Sequence, residues 1–346
     1  MAYTTINKSS DYFNTKLYTG NGGTQGITGV GFKPDLNWIK DRDGTPSHVL
    51  HDIIRGVTKR LMSNNTNAED TGSQINSFDT DGFTVPNNNN NTNGNDYVSW
   101  NWLGSNTTAS NSNGSITSTV SFNATSGFSV VKWTGSGANA TIGHGLGSTP
   151  KVILVKNATA TGNWKMWHKS FATMSGGNAT SSLNLNTTSA LINTASVFNS
   201  MATINTNVFS VGAEGDTNQS NQTMVAYCFA EKQGYSKFGN YIGNGNADGT
   251  FVYTGFKPAF VMVKNASASQ NWYMLDNKRD ISNVCDSYVT ADNTTAEQTY
   301  TLADFLSNGF KLRDTGGASN ASGNNYIYMA FGQSIVGSNN TPATAR

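Results

Sequence analysis

Apolar residues in this chain fall in short extended runs, and clusters of Gly, Asn, Asp and Ser interrupt them at close intervals. Val, Ile, Thr and aromatic residues dominate the runs, which predicts strands joined by tight turns. Val152-Ile-Leu-Val155 and Phe260-Val-Met-Val263 are apolar at every position, so both faces of these strands should be buried. Each follows a proline, a place where no ladder hydrogen bond is lost. Helical periodicity is nearly absent; residues 53–62 and 301–307 are the best short helix candidates.

The runs repeat. Tyr18-Thr-Gly-Asn-Gly22, Trp133-Thr-Gly-Ser-Gly137 and Tyr241-Ile-Gly-Asn-Gly245 open three segments that stay in step. Each continues to a glycine three residues before a proline (Gly31/Pro34, Gly147/Pro150, Gly255/Pro258) and then to Lys40, Lys156 or Lys264. Twelve residues beyond the lysines stand Asp52, His168 and Asp276. The segments close on Phe83, Phe209 and Phe310, a loop holding Asn91, Asn218 or Asn320, and a last aromatic-rich strand. Gly94, Asn221 and Gly323 share a slot in that loop, which expects the left-handed backbone only Gly or Asn readily enters. A period of this size predicts an array of small domains. We expect an all-β chain of three tandem β-sandwich, jelly-roll-like repeats at residues 12–104, 127–231 and 237–334. Residues 105–126 read as a linker with a strand near 114–122, and residues 335–346 as a C-terminal tail.

Composition narrows the chemistry. Charged residues make up 12% of the 346, and the net charge is +1. Such a surface does not suit nucleic acid or an anionic membrane. The 17 Phe, 13 Tyr and 7 Trp argue for packed cores rather than disorder. No N-terminal apolar segment or run of about 18 apolar residues is present, which leads us to expect no membrane insertion and synthesis without a signal peptide. Cys228 and Cys285 lie in different repeats and form no CxxC, so neither a disulfide framework nor a zinc site is expected.

No catalytic constellation emerges. Asp52/Arg55 and Asp276/Arg279 share one spacing in two repeats, but repeat two has His168 and Phe171, which favours internal ion pairs over a repeated active site. His48, His51, His144 and His168 form no ligand spacing for a metal. The glutamates Glu69, Glu214, Glu231 and Glu297 read as unmatched between repeats, and nothing selects the two carboxylates of a glycosidase. There is no G-x-S-x-G elbow, and Gly143-His-Gly-Leu-Gly147 does not join a strand to a helix as a phosphate loop does. We therefore expect no catalytic, metal-binding or cofactor-binding residues. Trp38 and Trp102 align with apolar residues and read as core, whereas Trp100, Trp133, Trp167 and the loop-tip tyrosines read as more open, with a sugar platform the minor alternative to packing.

The run Tyr18-Thr-Gly-Asn-Gly22, Gly31-Phe-Lys-Pro-Asp35, Ser77-Phe-Asp-Thr-Asp-Gly-Phe83, Tyr97-Val-Ser-Trp-Asn-Trp102 and Ala226-Tyr-Cys-Phe-Ala-Glu-Lys232 resembles uncharacterised repeat proteins of tailed phages of marine bacteria and cyanobacteria. The likeness extends over residues 11–334. It implies a non-enzymatic virion protein assembled in the host cytoplasm: a tail fibre or tail-associated adhesin touching a host glycan or protein, or alternatively a capsid decoration or adaptor. Other virion proteins and a homotrimer of the chain itself are the implied partners. Recognition would then sit on the longest polar loops: 64–77, 86–96, 174–206 and 286–300.

Overall fold

The structure, a computed structural model, describes residues 4–72 and 74–334. The tail at 335–346 lies outside them. Repeat one contains β1 (Phe13–Thr19), β2 (Gln25–Thr28), β3 (Leu36–Asp41), β4 (Val49–Asp52), β5 (Ser77–Asp79), β6 (Gly82–Val85) and β7 (Asp96–Trp102). Two strands follow, β8 (Ala109–Asn111) and β9 (Ser118–Asn123). Repeat two holds β10 (Phe128–Thr134), β11 (Ala140–Gly143), β12 (Val152–Asn157), β13 (Lys165–His168), β14 (Ser181–Asn184), β15 (Ile192–Asn193), β16 (Val208–Val211) and β17 (Thr223–Phe229). Repeat three holds β18 (Ser236–Ile242), β19 (Phe251–Tyr253), β20 (Pro258–Asn265), β21 (Trp272–Asp276), β22 (Cys285–Thr290), β23 (Gln298–Leu306), β24 (Gly309–Leu312) and β25 (Asn325–Gly332).

The chain is all-β and its strand ladders are antiparallel. One order recurs three times: β1-β7-β3-β4, β10-β17-β12-β13 and β18-β25-β20-β21. A smaller ladder lies against each, built on β2-β6-β5, β11-β16 and β19-β24-β23. The last strand of each repeat pairs back onto its first, which is why the turn motif and the closing loop meet. Neither helix candidate forms: residues 301–306 belong to β23, and 53–62 is a run of turns. Strand pairing overrides the local pattern at 301–306. The presumed linker is also structured, since β9 pairs with β10 and β8 with β9.

The strands apolar on both faces separate two kinds of core. On one side of the main ladders, Ile39 and Tyr97 meet Phe83; Ile153 and Val155 meet Phe209; Val261 and Val263 meet Phe310. These clusters lie between the two layers of one repeat. On the other side, Leu36 and Trp38, Val152 and Leu154, and Phe260 and Met262 join one cluster drawn from all three repeats. Its centre is a triangle of matched residues: Trp102, Phe229 and Phe331 have ring centroids 6.1, 5.9 and 5.8 Å apart. A void of about 10 Å³ remains beside it, lined only by apolar and aromatic side chains. Complete burial of the post-proline strands thus comes from repeat–repeat packing as well as layer packing. An array of independent units would leave these faces wet.

Candidate functional site

The matched polar residues of the repeats are the only constellations the sequence singles out, and they meet where one repeat contacts the next. After each lysine the chain turns a corner. The loop of the preceding repeat docks on that corner: Glu69 N donates to Ala158 O at 2.7 Å, Leu191 N to Ala266 O at 2.9 Å, and Glu297 N to Arg42 O at 2.7 Å. Repeat one thus clasps two, two clasps three, and three clasps one. Ala158, Ala266 and Arg42 each lie two residues beyond their lysine, so the three contacts are equivalent and the ring is closed.

A second set of bonds repeats around the ring. Trp164 Nε1 donates to Met62 O at 2.8 Å and Trp272 Nε1 to Asn184 O at 3.0 Å. In repeat one the position is His48, whose Nδ1 accepts from Trp38 Nε1 and whose other nitrogen turns toward the Thr290 carbonyl without closing a full bond. Lys40, Lys156 and Lys264 are fully buried. Backbone carbonyls cage their ammonium groups: Asp41 and Gly44 for Lys40, Asn157 and Thr66 for Lys156, Thr188 and Gln270 for Lys264. Burial pulls all three down to about 8. Two of the three cages borrow a carbonyl from the neighbouring repeat.

The acid–arginine pairs are buried struts. Arg55 Nε lies 2.5 Å from Asp52 Oδ2, and Arg279 Nε lies 2.7 Å from Asp276 Oδ2. Each guanidinium also bonds a carbonyl five residues back, Leu50 or Met274, and pairs with Glu69 at 3.5 Å or Glu297 at 3.2 Å. Each aspartate accepts a bond from another repeat, from Tyr227 Oη onto Asp52 and from Trp100 Nε1 onto Asp276. Glu69 and Glu297 are therefore matched by the clasp, which corrects the expectation that no glutamate has a counterpart. Length differences among the loops hid them.

The exception in repeat two now has a cause. Trp100, Tyr227 and Met329 are counterparts on the last strands, and Met329 has no donor to offer a carboxylate. His168 stands there in place of the aspartate, with Phe171 for arginine and Leu191 for glutamate. Four positions change together from a charged network to an uncharged contact, in which His168 Nε2 bonds to the Tyr328 carbonyl of repeat three. A carboxylate left alone there would be buried and unpaired.

The turn motif is equally occupied. Asn91, Asn218 and Asn320 accept from the backbone N–H of Asn21, Ser136 and Asn244, and donate into the same turns. A Cβ on Gly20, Gly135 or Gly243 would lie within 2.3 Å of the facing carbonyl oxygen, so each turn begins on glycine. Gly94, Asn221 and Gly323 adopt φ of 85°, 59° and 77°, the left-handed backbone their slot requires. The tyrosines of the turn motif are buried: Tyr18 stacks on Tyr97 at 4.9 Å and Tyr241 on Tyr326 at 5.0 Å, whereas Tyr253 and Tyr300 are exposed. Trp100 and Trp133 are also buried, contrary to expectation, and Trp167 is half-buried. The patterning could not show that these faces turn inward, because the repeats that cover them are distant in sequence.

Titratable groups follow the same logic. Burial holds His51 and His168 down to about 3 and His144 to about 4, and keeps His48 well below its ordinary value. Cys228 and Cys285 are free and buried, with both thiols pushed up by burial, away from nucleophilic character. Among the described residues no group of three or more His, Cys, Asp and Glu could hold a metal ion, and no helix is long and apolar enough to cross a membrane.

The geometry accounts for the matched residues as parts of a ring. Comparison with known proteins adds a family. A model described as a domain of unknown function (DUF7483) matches residues 8–334, and the chain belongs to that family. No curated protein and no solved structure matches it.

Proposed function

We propose that this member of the DUF7483 family is a non-enzymatic building block of a phage particle, made of three tandem jelly-roll-like β-sandwich repeats closed into a ring. One observation carries the reading: the polar groups matched between repeats are spent inside the molecule, some bracing turns of their own repeat and the rest holding the repeats together. Asp52, Arg55, Asp276, Arg279 and the three lysines are internal, and their partners are other parts of the chain. Such a molecule offers a shaped surface rather than a reactive one. The ring also bears on oligomeric state. The contacts a homotrimer would make between subunits are made here between repeats, so we propose a monomer with internal threefold pseudosymmetry, suited to the axis of a threefold-symmetric virion part.

Of the two virion roles, the geometry favours an adaptor or decoration block. Loops 64–77, 174–206 and 286–300 all contribute to the clasps, which leaves less of them free for a receptor. A tail-associated adhesin remains the second reading, supported by Tyr253 and Tyr300, whose exposed rings suit stacking on a host glycan. Gradient-purified particles carrying an epitope tag on the chain test the proposal by immunogold electron microscopy. Label on head or neck supports the adaptor role and label at the tail tip the adhesin. Absence from particles contradicts both, and a fall in host polysaccharide chain length on incubation contradicts the non-enzymatic assignment.

A further inference from the structure

The three repeats treat one edge of the sandwich in three ways. This edge is the gap between the first strand of the main ladder and the first strand of the smaller one. In repeat one it lies between β1 and β2, where Asn14 Nδ2 crosses it to Val30 O and the Lys16 ammonium lies against Gly29. An inward lysine is a common guard against strand addition. In repeat two the gap between β10 and β11 is filled by the chain itself. β9 pairs along β10, Ile116 bridges in parallel to Ile142, and Ser118 Oγ donates to Gly143 O. Ile116, Val120 and Phe122 point into the core of that repeat at alternate positions.

Repeat three has neither device. Register places Gly239 where repeat one has Lys16, only a short joint precedes β18, and among the described residues no strand covers this edge. A cleft of about 320 Å³ opens between the start of β18 and the end of β19, lined by Ser236, Lys237, Tyr253 and Thr254. In repeat two the Phe122 side chain sits at the corresponding place, opposite Ser129 and against Gly145. Ile242 and Phe251, farther along the same two strands, and Tyr253, at the cleft, are 58%, 43% and 61% exposed. Their counterparts by register are Thr19, Gly26 and Thr28 in repeat one, and Thr134, Thr141 and Gly143 in repeat two. Apolar side chains thus stand at this edge only in repeat three, where among the described residues neither a lysine nor a strand guards it.

We propose that the β18–β19 edge of repeat three is a strand-addition site for a partner protein, which inserts an extended segment as β9 does in repeat two. The segment would carry apolar residues at alternate positions, with an aromatic one seated between Lys237 and Tyr253. Main-chain bonds to β18 supply affinity, and the cleft supplies specificity. The site stands whether the particle role is adaptor or adhesin.

The chain contains its own probe, a synthetic peptide of residues 114–123. Hydrogen exchange of the full-length protein with 1 mM peptide should show new protection in residues 236–242 and 251–254. Tyr253→Lys and Ile242→Lys, both at exposed positions, should weaken the effect at least tenfold while leaving the melting temperature unchanged. A peptide with Phe122 changed to Ser should protect less. Absence of protection at 1 mM overturns the proposal. Concentration-dependent dimerisation that protects the same two strands without peptide also overturns it, by making a second copy the occupant.

Discussion

At the scale of single residues, the buried charges decide most. Asp52 is fully buried, bound to Arg55 and to Tyr227 of another repeat. Removing one member of such a network leaves the rest uncompensated, so Asp52→Ala should cost about 3–5 kcal/mol in urea unfolding. Repeat two shows how the same place is filled without charge. The combined change Asp52→His, Arg55→Phe, Glu69→Leu and Tyr227→Met should therefore recover most of that loss, because well-packed apolar groups can replace a buried ionic network at little net cost. If the fourfold variant is less stable than Asp52→Ala, the two arrangements are not interchangeable.

The buried histidines set the acid limit. All four rings sit below their ordinary value in the folded chain, and unfolding restores it. The unfolded chain then binds more protons as pH falls through about 6.5, so stability drops on the acid side by roughly 1.4 kcal/mol per pH unit for each fully protonated ring. Urea midpoints should fall steadily from pH 7 to pH 5; a flat profile would show that the rings are solvated. The lysines act on the alkaline side. Their folded value of about 8 lies below the ordinary one, so the unfolded chain again binds more protons and stability should rise between about pH 8 and 10. Above that, buried tyrosines such as Tyr227 and Tyr241, held well above their ordinary value, make folding less favourable.

At the scale of elements, the sequence showed strands well and loops poorly. Post-proline runs such as Phe260–Val263 were legible as strands with two buried faces, because an unbroken apolar run admits no solvent-facing side. The repeat of the turn motif was equally legible, since Gly20, Gly135 and Gly243 each face a carbonyl too closely for a side chain. Residues 174–206 looked like a free polar insertion. Yet Leu191 N and Thr188 O bond to repeat three, and Asn184 O accepts from Trp272. Backbone groups make these contacts, and backbone groups leave no mark in a sequence. Exchanging residues 176–200 for a short Gly/Ser linker should therefore lower the melting temperature by several degrees and expose Trp272 to fluorescence quenchers. Unchanged melting would mean that the loop hangs free, as composition alone suggested.

At the scale of the whole molecule, the account rests on the cluster common to all three repeats. Three repeats were visible in the spacing of Lys40, Lys156 and Lys264, but their closure into a ring was not. Ring closure depends on Trp102, Phe229 and Phe331 meeting across more than a hundred residues each, and on a clasp from the third repeat back to Arg42. A repeat cut loose would expose one whole face of its main ladder. Differential scanning calorimetry tests this most directly. The ring predicts one transition whose van 't Hoff and calorimetric enthalpies agree, of order 240 kcal/mol at about 0.7 kcal/mol per residue. Two or three resolved transitions, or a van 't Hoff enthalpy near a third of the calorimetric one, would show that the repeats unfold independently and would contradict the shared core.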